Sequence, residues 1–311
     1  MLNQTVEKKL TLLITGANGQ VAYDLLRRLP SHYHWVALGS NELDIRDSQQ
    51  VHQRIRQIWP DWVVNLAAYT KVDLAEKEAE TAYAVNMRGV EHLARALAAQ
   101  RAATGKGWLL HVSTDFVFDG CHSSPYHPEH PISPKSVYGD SKAKGEALVR
   151  EWLPEAHIIL RTAWVYGVHG HNFVKTILRL MSEREEVRVV ADQVGTPTWS
   201  GALADVILSI IRQVVDRQKC QSLAGTYHFT DAGAVSWYDF AVAIAEEAAA
   251  MGYPVRAKVL PIRTVDYPTP AQRPAYSVLD KTDTWRIFSI QPVHWREHLR
   301  KMLGEFCKRY A

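Results

Sequence analysis

The chain has 311 residues, of which 47% are hydrophobic and 22% are charged, and its formal net charge is +3 at pH 7. This length is enough for about two domains, and the composition is that of an ordinary globular protein. The nearly balanced charge, with no long run of one sign, argues against nucleic-acid binding through a broad basic surface.

Membrane insertion and disulfide formation are not expected either. No apolar run approaches the roughly 18 residues that a transmembrane helix needs, and residues 1–10 lack the apolar core of a signal peptide. The cysteines are far apart and have no metal-ligand spacing; they are Cys121, Cys220 and Cys307. We therefore expect reduced thiols and a cytoplasmic protein without a membrane or nucleic-acid partner.

The first part of the chain alternates short apolar runs, typical of buried strands, with helical patterns. Strands are predicted at 10–15, 34–38, 62–66 and 108–113, and helices at 20–29, 47–58 and 79–103. This alternation predicts an α/β fold, a Rossmann-type doubly wound parallel sheet with helices on both faces.

The first strand is followed by the glycine-containing turn Gly16-Ala17-Asn18-Gly19-Gln20-Val21-Ala22. Glycines between a strand and a helix let the backbone approach a pyrophosphate, and the helix N-terminus offers N–H groups to it. A glycine pattern alone is weak evidence, but its position between the first strand and the first helix supports dinucleotide binding. We expect cofactor contacts from Gly16, Asn18, Gly19, Gln20 and Val21.

The residues after the second strand bear on the choice of cofactor. An acidic residue there would bind the adenosine ribose of NAD and repel the 2′-phosphate of NADP. This chain has Gly39-Ser40-Asn41, with no acid before Glu42, and no arginine is evident for the phosphate. The pattern favours NADP(H), with NAD(H) as the alternative. Ser40 and Asn41 are the expected ribose-side contacts, and Asp44 and Ile45 the expected adenine-side contacts.

A helix is predicted from Ser136 to Leu153, and on it Tyr138 and Lys142 lie one turn apart on the same face. An ammonium group near a phenol favours the phenolate and lowers the pKa of the tyrosine, which suits proton transfer at a carbonyl. A chance surface pair is the alternative reading. Thr114, at the end of the fourth strand, could hydrogen-bond the same carbonyl or simply be a satisfied strand-end threonine.

Together these motifs resemble the extended short-chain dehydrogenase/reductases. Within that superfamily the chain is similar to the dTDP-4-dehydrorhamnose reductase family. The superfamily resemblance also includes residues 65–70 and Ser113-Thr114-Asp115. The narrower resemblance rests on segments in the family's order, namely 72–76, 113–118, 161–167, 172–176, 192–198 and Arg273-Pro274.

The resemblance implies an NADPH-dependent reduction of the 4-keto group of dTDP-4-dehydro-L-rhamnose, in deoxysugar biosynthesis. The implied catalytic residues are Thr114, Tyr138 and Lys142; Tyr138 and Lys142 also contact the cofactor, which Leu66, Ala67, Ala68 and Tyr69 would line. The implied substrate-side residues are Thr70, Val72, Thr114, Asp115, Phe116, Trp164, Asn172, Phe173 and Arg273. Arg273 would grip the diphosphate, or would form a rim salt bridge instead.

Phe116 separates the chain from related sugar-nucleotide dehydratases, which carry glutamate after the Ser-Thr-Asp motif. Phenylalanine has no titratable proton, so dehydration is not expected. Two alternatives stay open: a reductase for another dTDP-4-keto-6-deoxysugar, and a non-catalytic NADP-binding subunit similar to the regulatory β subunit of methionine adenosyltransferase.

The second half of the chain is richer in Trp, Pro and Tyr. We expect a dinucleotide-binding domain of residues 1–163 plus about 200–230, and a smaller α/β substrate-binding domain of about 164–199 plus 231–311. Helices are predicted at 201–215, 237–250 and after Pro292, and a strand at 225–229. Trp164 and Trp199 are candidates for the sugar or base, although such tryptophans are often core residues.

Some members of the family bind magnesium at a dimer interface through three acidic residues. Asp24 could supply the first, but Gly201 and Arg296 stand where the other two are expected. We therefore expect no magnesium site of that type, and a monomer or weak homodimer.

Overall fold

The computed structural model describes residues 9–217 and 222–308, so the prediction for Cys220 lies outside the described residues. The strands are β1 (Thr11–Thr15), β2 (His34–Leu38), β3 (Trp62–Asn65), β4 (Trp108–Thr114), β5 (His157–Thr162), β6 (Val165–Tyr166), β7 (Glu186–Val190), β8 (Val194–Gly195), β9 (Thr198–Trp199), β10 (Gly225–His228), β11 (Val235–Ser236) and β12 (Lys258–Ile262).

The α-helices are α1 (Gln20–Leu26), α2 (Ser48–Ile58), α3 (Val72–Ala75), α4 (Ala79–Tyr83), α5 (Val90–Thr104), α6 (Val137–Trp152), α7 (Phe173–Glu183), α8 (Ser200–Arg217), α9 (Trp237–Ala250), α10 (Thr282–Phe288) and α11 (Trp295–Cys307). A π-helical turn, Ala84–Gly89, joins α4 to α5, and a short 3₁₀ turn, Asp115–Val117, follows β4. None of the helices in the described parts of the chain is long and apolar enough to cross a membrane.

Six strands form one parallel sheet in the order β10-β5-β4-β3-β1-β2. The predicted doubly wound α/β fold is therefore confirmed. The chain runs outward from β1 in both directions, to β2 on one side and to β3 on the other, and ligands of such sheets bind in the crevice at the carboxyl ends of the strands where the order reverses. Thr15, Asn65 and Thr114 end the strands there.

Two large hydrophobic clusters form the interior. One surrounds the six-stranded sheet and includes α8, β10 and Phe288. The other lies among α7, α9, α11 and the parallel pair β7–β12, with Phe240 and Leu299 fully buried. Helix α8 packs against α1, and β10 adds to the edge of the main sheet beside β5. The proposed domain boundaries stay predictions, and Phe288, in the predicted second domain, packs in the core of the main sheet.

The predicted elements match the structure apart from details at their ends and one interruption. The helix expected at 20–29 ends at Leu26, before Pro30. The prediction of a continuous α-helix over 79–103 is wrong, because the turn Ala84–Gly89 is π-helical. Helix propensity is high throughout that alanine-rich segment and does not distinguish the two hydrogen-bonding patterns.

Candidate active site

The carboxyl edge of the sheet brings Thr114 close to Tyr138 and Lys142. Thr114 ends β4, and α6 begins at the N-cap Ser136, whose hydroxyl accepts a hydrogen bond from Gly139 N at 3.1 Å. Because Tyr138 and Lys142 lie one turn apart on this helix, both face the interior, with relative exposures of 9% and 2%. The three residues named by the resemblance are therefore buried together.

The first turn of α6 lies tightly against the 3₁₀ turn that follows β4. A Cβ atom on Gly139 would lie 2.2 Å from Phe116 O, so this approach requires glycine. The Phe116 ring packs edge-on against the Tyr138 ring, with centroids 5.6 Å apart. Phe116, at the position where the related dehydratases carry glutamate, thus holds the proposed proton donor Tyr138 in place.

The structure contradicts the expected electrostatics of Tyr138. Burial raises the pKa of its phenol to about 12, and the nearby Asp115 carboxyl adds to the increase, while the Thr114 hydroxyl opposes it. The expectation that Lys142 lowers this pKa is therefore wrong for this structure, since desolvation dominates. Tyr138 is a phenol throughout the physiological range.

Lys142 is directed into the sheet. Its Nζ donates to Val112 O at 2.7 Å and lies 3.2 Å from His111 Nε2. Burial lowers the pKa of Lys142 to about 8, against the attraction of Glu146 on the next turn. Glu146 is itself paired with Arg161 of β5 through two hydrogen bonds of 2.9 and 2.7 Å, so its negative charge is largely compensated.

The predicted dinucleotide turn passes very close to the neighbouring strand end. Gly16 has φ +69°, and a Cβ atom there would lie 2.6 Å from Ala67 N. Gly19 is the N-cap of α1 and has no side chain to block the first backbone N–H groups. This close-approaching backbone at the start of a helix fits a dinucleotide pyrophosphate.

The remaining predicted cofactor residues border this turn. Asn18 packs on Gly39 at the end of β2, where Ser40 and Asn41 are exposed. The Asp44 carboxylate pairs with Arg46 at 2.7 Å, and its hydrogen bonds from Arg46 hold the pKa of Asp44 below its usual value. Arg46 is thus a basic residue in the loop where none was expected from the sequence. Ile45 is buried, and Val21 is half-buried at the sheet core.

The loop after β3 is held by the π-helical turn. Asn86 accepts from Tyr69 N at 2.9 Å and donates to Tyr69 O at 3.0 Å, and it also donates to Ser141 on α6. Leu66 and Ala67 pack on the sheet core, Ala68 is half-buried and Thr70 is exposed. Four partly buried side chains pack against the small hydrophobic cluster that contains Tyr138: Tyr69, Val72, Phe116 and Val137.

Asp115 carries an unusual carboxyl group. Its Oδ1 accepts from Thr114 Oγ1 at 3.0 Å, whereas Oδ2 is buried and has no hydrogen-bond partner among the described residues. Burial raises the pKa of Asp115 to about 6, despite partial compensation by the nearby Ser277 and Thr114 hydroxyls.

The residues of the second half that were predicted to contact the substrate also contact other parts of the protein. Trp164, at φ +48°, stacks on Trp237 with ring centroids 3.4 Å apart, and Phe173 packs against the same tryptophan. Asn172 is the N-cap of α7, accepting from Lys175 N at 3.1 Å. The Asn172 amide also donates to Gly167 O and, at 2.8 Å, to Gln20 Oε1 beside the glycine turn. Their roles toward a sugar stay predictions.

Arg273, predicted for the diphosphate, and Asp24, considered for magnesium, both form ion pairs in the structure. Arg273 forms a double hydrogen bond with Asp73, at 2.6 and 3.0 Å, which is the rim salt bridge named above as the alternative to a diphosphate clamp. Near Asp24, the Arg28 guanidinium lies 2.8 Å from the carboxylate, and a Cβ atom on Gly201 would lie 2.6 Å from the same guanidinium.

The expected absence of a magnesium site stays a prediction. Arg296, at the third position, is paired with Glu246 and Glu247. Across the described residues, no group of three or more His, Cys, Asp or Glu side chains is arranged to hold a metal ion. The Trp199 side chain packs between Arg28 and His298, next to the Arg28–Asp24 ion pair.

Three residues that the sequence analysis did not assign lie directly behind the site: Asn65, Asn86 and His111. All three are fully buried. A signal for two of them is present in the sequence, because Asn65 and His111 interrupt otherwise apolar strands, and buried polar groups need partners.

Comparison with known proteins gives a consistent family. The model of the RmlD substrate binding domain matches residues 10–308. The chain is 45% identical over 294 residues to a dTDP-4-dehydrorhamnose reductase of Aggregatibacter actinomycetemcomitans, covering 94% of this chain and 97% of that one. It is 36% identical over 301 residues to the dTDP-4-dehydrorhamnose reductase of Escherichia coli (strain K12), covering 95% and 98%.

Among solved structures, a dTDP-4-dehydrorhamnose reductase from Bacillus anthracis in complex with NADP superposes with a TM-score of 0.86 at 37% identity, covering 96% of this chain and 100% of that chain. The family model covers nearly the whole described chain, the two relatives are 45% and 36% identical to it over most of its length, and the solved structure has the same fold. The chain therefore belongs to the RmlD family of dTDP-4-dehydrorhamnose reductases.

Proposed function

We propose that the protein reduces the 4-keto group of dTDP-4-dehydro-L-rhamnose to give dTDP-L-rhamnose, with NADPH as the reductant. The observation that carries this proposal is that Thr114 at the end of β4 and Tyr138 and Lys142 on α6 are all buried, with the Thr114 hydroxyl acting on the Tyr138 phenol, in a chain 45% identical to a protein named for that activity. Bound NADPH would supply the hydride to the carbonyl carbon. The NADP seen with the Bacillus anthracis relative supports this choice of cofactor.

The protein's own residues then have distinct tasks. Thr114 would hydrogen-bond the substrate carbonyl, and the Tyr138 phenol would transfer its proton to that oxygen as negative charge develops there. The raised pKa of Tyr138 suits a group that must be protonated before it donates. Lys142 would bind the nicotinamide ribose in its ammonium form, and donors placed in advance stabilise charge that appears only in the transition state.

The other predicted contacts complete the site. We propose that the glycine turn and residues 66–69 hold the dinucleotide, with Arg46 available near Asp44 for a 2′-phosphate. The sugar nucleotide would lie between Thr70, Val72, Asp115 and Phe116 on one side, and Trp164, Asn172, Phe173 and Arg273 on the other. The proposed domain division at about 163, 199 and 230 would put those two groups in different domains. We also propose a cytoplasmic protein that is a monomer or weak homodimer.

The proposal is tested by following NADPH oxidation with dTDP-4-dehydro-L-rhamnose for the wild type and Tyr138→Phe. Removing the proton donor is expected to lower kcat by about 10²–10⁴-fold, the usual contribution of general acid catalysis. Tyr227→Phe is the matched control, because Tyr227 is also 9% exposed but bonds Leu223 O, away from the site. Its turnover should equal that of the wild type.

Two outcomes would contradict the proposal. Equal turnover by Tyr138→Phe would reject the assigned proton donor. A wild type that binds NADPH but never oxidises it, with this or another dTDP-4-keto-6-deoxysugar, would favour the non-catalytic NADP-binding alternative. Turnover with only another such sugar would change the substrate and keep the mechanism.

A further inference from the structure

Two polar side chains lie inside the sheet where the strand pattern is otherwise apolar. Asn65 ends β3, His111 lies within β4, and neither has any exposed surface. They contact each other, since Asn65 Nδ2 lies 2.9 Å from His111 Nδ1. On the other side of the ring, His111 Nε2 lies 3.2 Å from Lys142 Nζ. Lys142 is therefore connected through His111 to Asn65 inside the sheet.

The orientation of the Asn65 amide follows from its other partners. Its Oδ1 accepts from Thr15 Oγ1 at 2.6 Å and from the Ala67 backbone N–H at 3.2 Å. A backbone N–H can only donate, so reversing the amide would set two donors against each other. Asn65 must therefore present its NH₂ group to His111.

This donor determines the tautomer of His111. Burial, and then the charge of Lys142, hold the pKa of His111 well below its ordinary value, so the ring is neutral and has one proton. Because Nδ1 accepts from Asn65, that proton is on Nε2. The Nε2–H group then points at the Lys142 nitrogen. An ammonium has no lone pair, so only the neutral amine can accept this hydrogen bond.

We propose that Asn65 and His111 are positioning residues for Lys142, and that their hydrogen-bond chain favours its neutral amine and so sets the upper limit of the pH range in which Lys142 is charged. This inference rests on the proposed function, in which the ammonium form of Lys142 binds the cofactor ribose. The Lys142 amine still donates to Val112 O at 2.7 Å in either form, which keeps its position.

Among the other influences on Lys142, some lower its pKa and others raise it. Burial lowers the pKa of Lys142 to about 8, while Glu146 raises it. The π-helical turn and β3 present uncharged amides there, Asn86 and Asn65. Among the described residues, the titratable or charged groups linked to Lys142 or its direct partners are His111 and Glu146, then Arg150 and Arg161, which pair with Glu146, and Tyr138 one turn before Lys142, with Asp115 close to it.

The tautomer can be measured directly in the full-length protein. In ¹⁵N-histidine-labelled wild type, the ring signals of His111, identified by their loss in His111→Asn, should be those of the Nε2-protonated form. In ¹³C-lysine-labelled protein, Lys142 should titrate with a midpoint near 8. A His111 ring protonated on Nδ1 in the wild type would by itself overturn the proposal.

Asn65→Asp reverses the hydrogen-bond chain with almost no change in shape. The carboxylate accepts from Nδ1–H, so Nε2 loses its proton and can accept from the Lys142 ammonium. Both the new tautomer and the added charge should raise the Lys142 midpoint by about one pH unit or more. In His111→Asn, the amide oxygen can take the place of Nδ1 while nothing replaces Nε2–H, and the midpoint should also rise.

Thr15→Val is the matched control. It removes one donor to Asn65 Oδ1, but Ala67 N–H still holds the amide, so the tautomer and the Lys142 midpoint should stay as in the wild type. The alkaline limb of kcat for NADPH oxidation should follow the same pattern, shifting in Asn65→Asp and His111→Asn but not in Thr15→Val. A general loss of stability would lower kcat at all pH values without moving this limb.

The outcomes separate this inference from the proposed function. An unchanged Lys142 midpoint in folded Asn65→Asp, or in His111→Asn should Asn65→Asp not fold, would overturn the hydrogen-bond chain. A wild type that does not reduce dTDP-4-dehydro-L-rhamnose would overturn the proposed function, while the histidine and lysine titrations would still decide the tautomer and the charge of Lys142.

Discussion

Asp115 is a carboxyl group held inside the protein beside the phenol of Tyr138. One of its oxygens accepts from Thr114, and the other is buried without a hydrogen-bond donor among the described residues. A buried charge with incomplete hydrogen bonding is costly, and such groups occur most often at functional sites. The ionised Asp115 carboxyl therefore lowers the stability of the fold, at a position proposed above to contact the substrate.

We expect Asp115→Asn to raise the free energy of unfolding at neutral pH. The pKa of Asp115 rises from 3.8 to about 6 on folding, so the folded chain holds this proton more tightly than the unfolded chain. The favourable contribution is complete below the unfolded pKa and is lost as the pH rises through about 6. Above that value the ionised carboxyl opposes folding by on the order of 2–3 kcal/mol.

Urea unfolding of the wild type and Asp115→Asn at several pH values between 4 and 8 (about the range in which Asp115 titrates) measures this effect. The two stabilities should diverge as the pH rises. Asp119→Asn is the control, because the Tyr126 hydroxyl lowers the pKa of Asp119 and its removal should not stabilise the protein. Parallel stability curves for the wild type and Asp115→Asn would contradict the assignment.

At the scale of elements, α6 depends on close contacts with its neighbours. Its first turn approaches Phe116 O through Gly139, and its middle approaches the π-helical turn through Gly145. The wider π-helical turn carries Asn86, whose amide bonds both Tyr69 and Ser141. The interruption of the helix therefore connects the loop after β3 to the helix that carries Tyr138 and Lys142, and π-helical turns often occur at functional sites.

Gly145→Ala is expected to destabilise the protein by about 1–3 kcal/mol, the usual cost of overpacking. The added methyl group would lie 2.2 Å from Asn86 O, which is backbone and cannot move aside easily. Gly304→Ala, in α11, is the matched control. Among the described residues, no atom of a neighbouring element lies within 4 Å of the position its methyl group would take, so alanine should stabilise that helix by about 0.5–1 kcal/mol. Thermal unfolding of both variants would show opposite changes in Tm, and equal changes would contradict the close contact.

Across the whole molecule, Asp73 and Arg273 connect two distant parts of the chain. Asp73 lies in α3, which follows the loop after β3, and also accepts from Ala271 N at 3.2 Å. Both side chains remain partly exposed, with 39% and 27% of their surfaces accessible. The pair lies at a rim where a diphosphate could compete with Asp73 for the guanidinium.

Arg273→Met and Asp73→Asn distinguish the two roles considered for this pair. If Arg273 binds the diphosphate, Arg273→Met should raise KM for the sugar nucleotide by about 10-fold or more with a smaller change in kcat, since a lost charged hydrogen bond costs about 1.5–3 kcal/mol. Asp73→Asn frees the arginine and should leave KM unchanged or lower it. If both variants raise KM equally, the salt bridge itself is what matters.

The amino-acid sequence was sufficient to predict the fold class and the placement of Tyr138 and Lys142 on one face of a helix. Continuous apolar runs such as Leu109-Leu110 identify strands buried on both faces, and helical spacing places Tyr138 and Lys142 on one face, because both depend only on local periodicity. The family resemblance then named Thr114 and the substrate-side segments, which span most of the described chain.

The electrostatics and the supporting contacts could be learned only from the folded chain. The pKa of Tyr138 depends on how completely other elements bury it, and the ion pair of Arg273 depends on a partner two hundred residues away. The tautomer inferred for His111 of β4 depends on Asn65 of the neighbouring strand β3, whose amide is oriented by the backbone N–H of Ala67 in the loop that follows. Periodicity says which side chains face inward, but desolvation and hydrogen bonding are set by what meets them there, and those partners are distant in sequence.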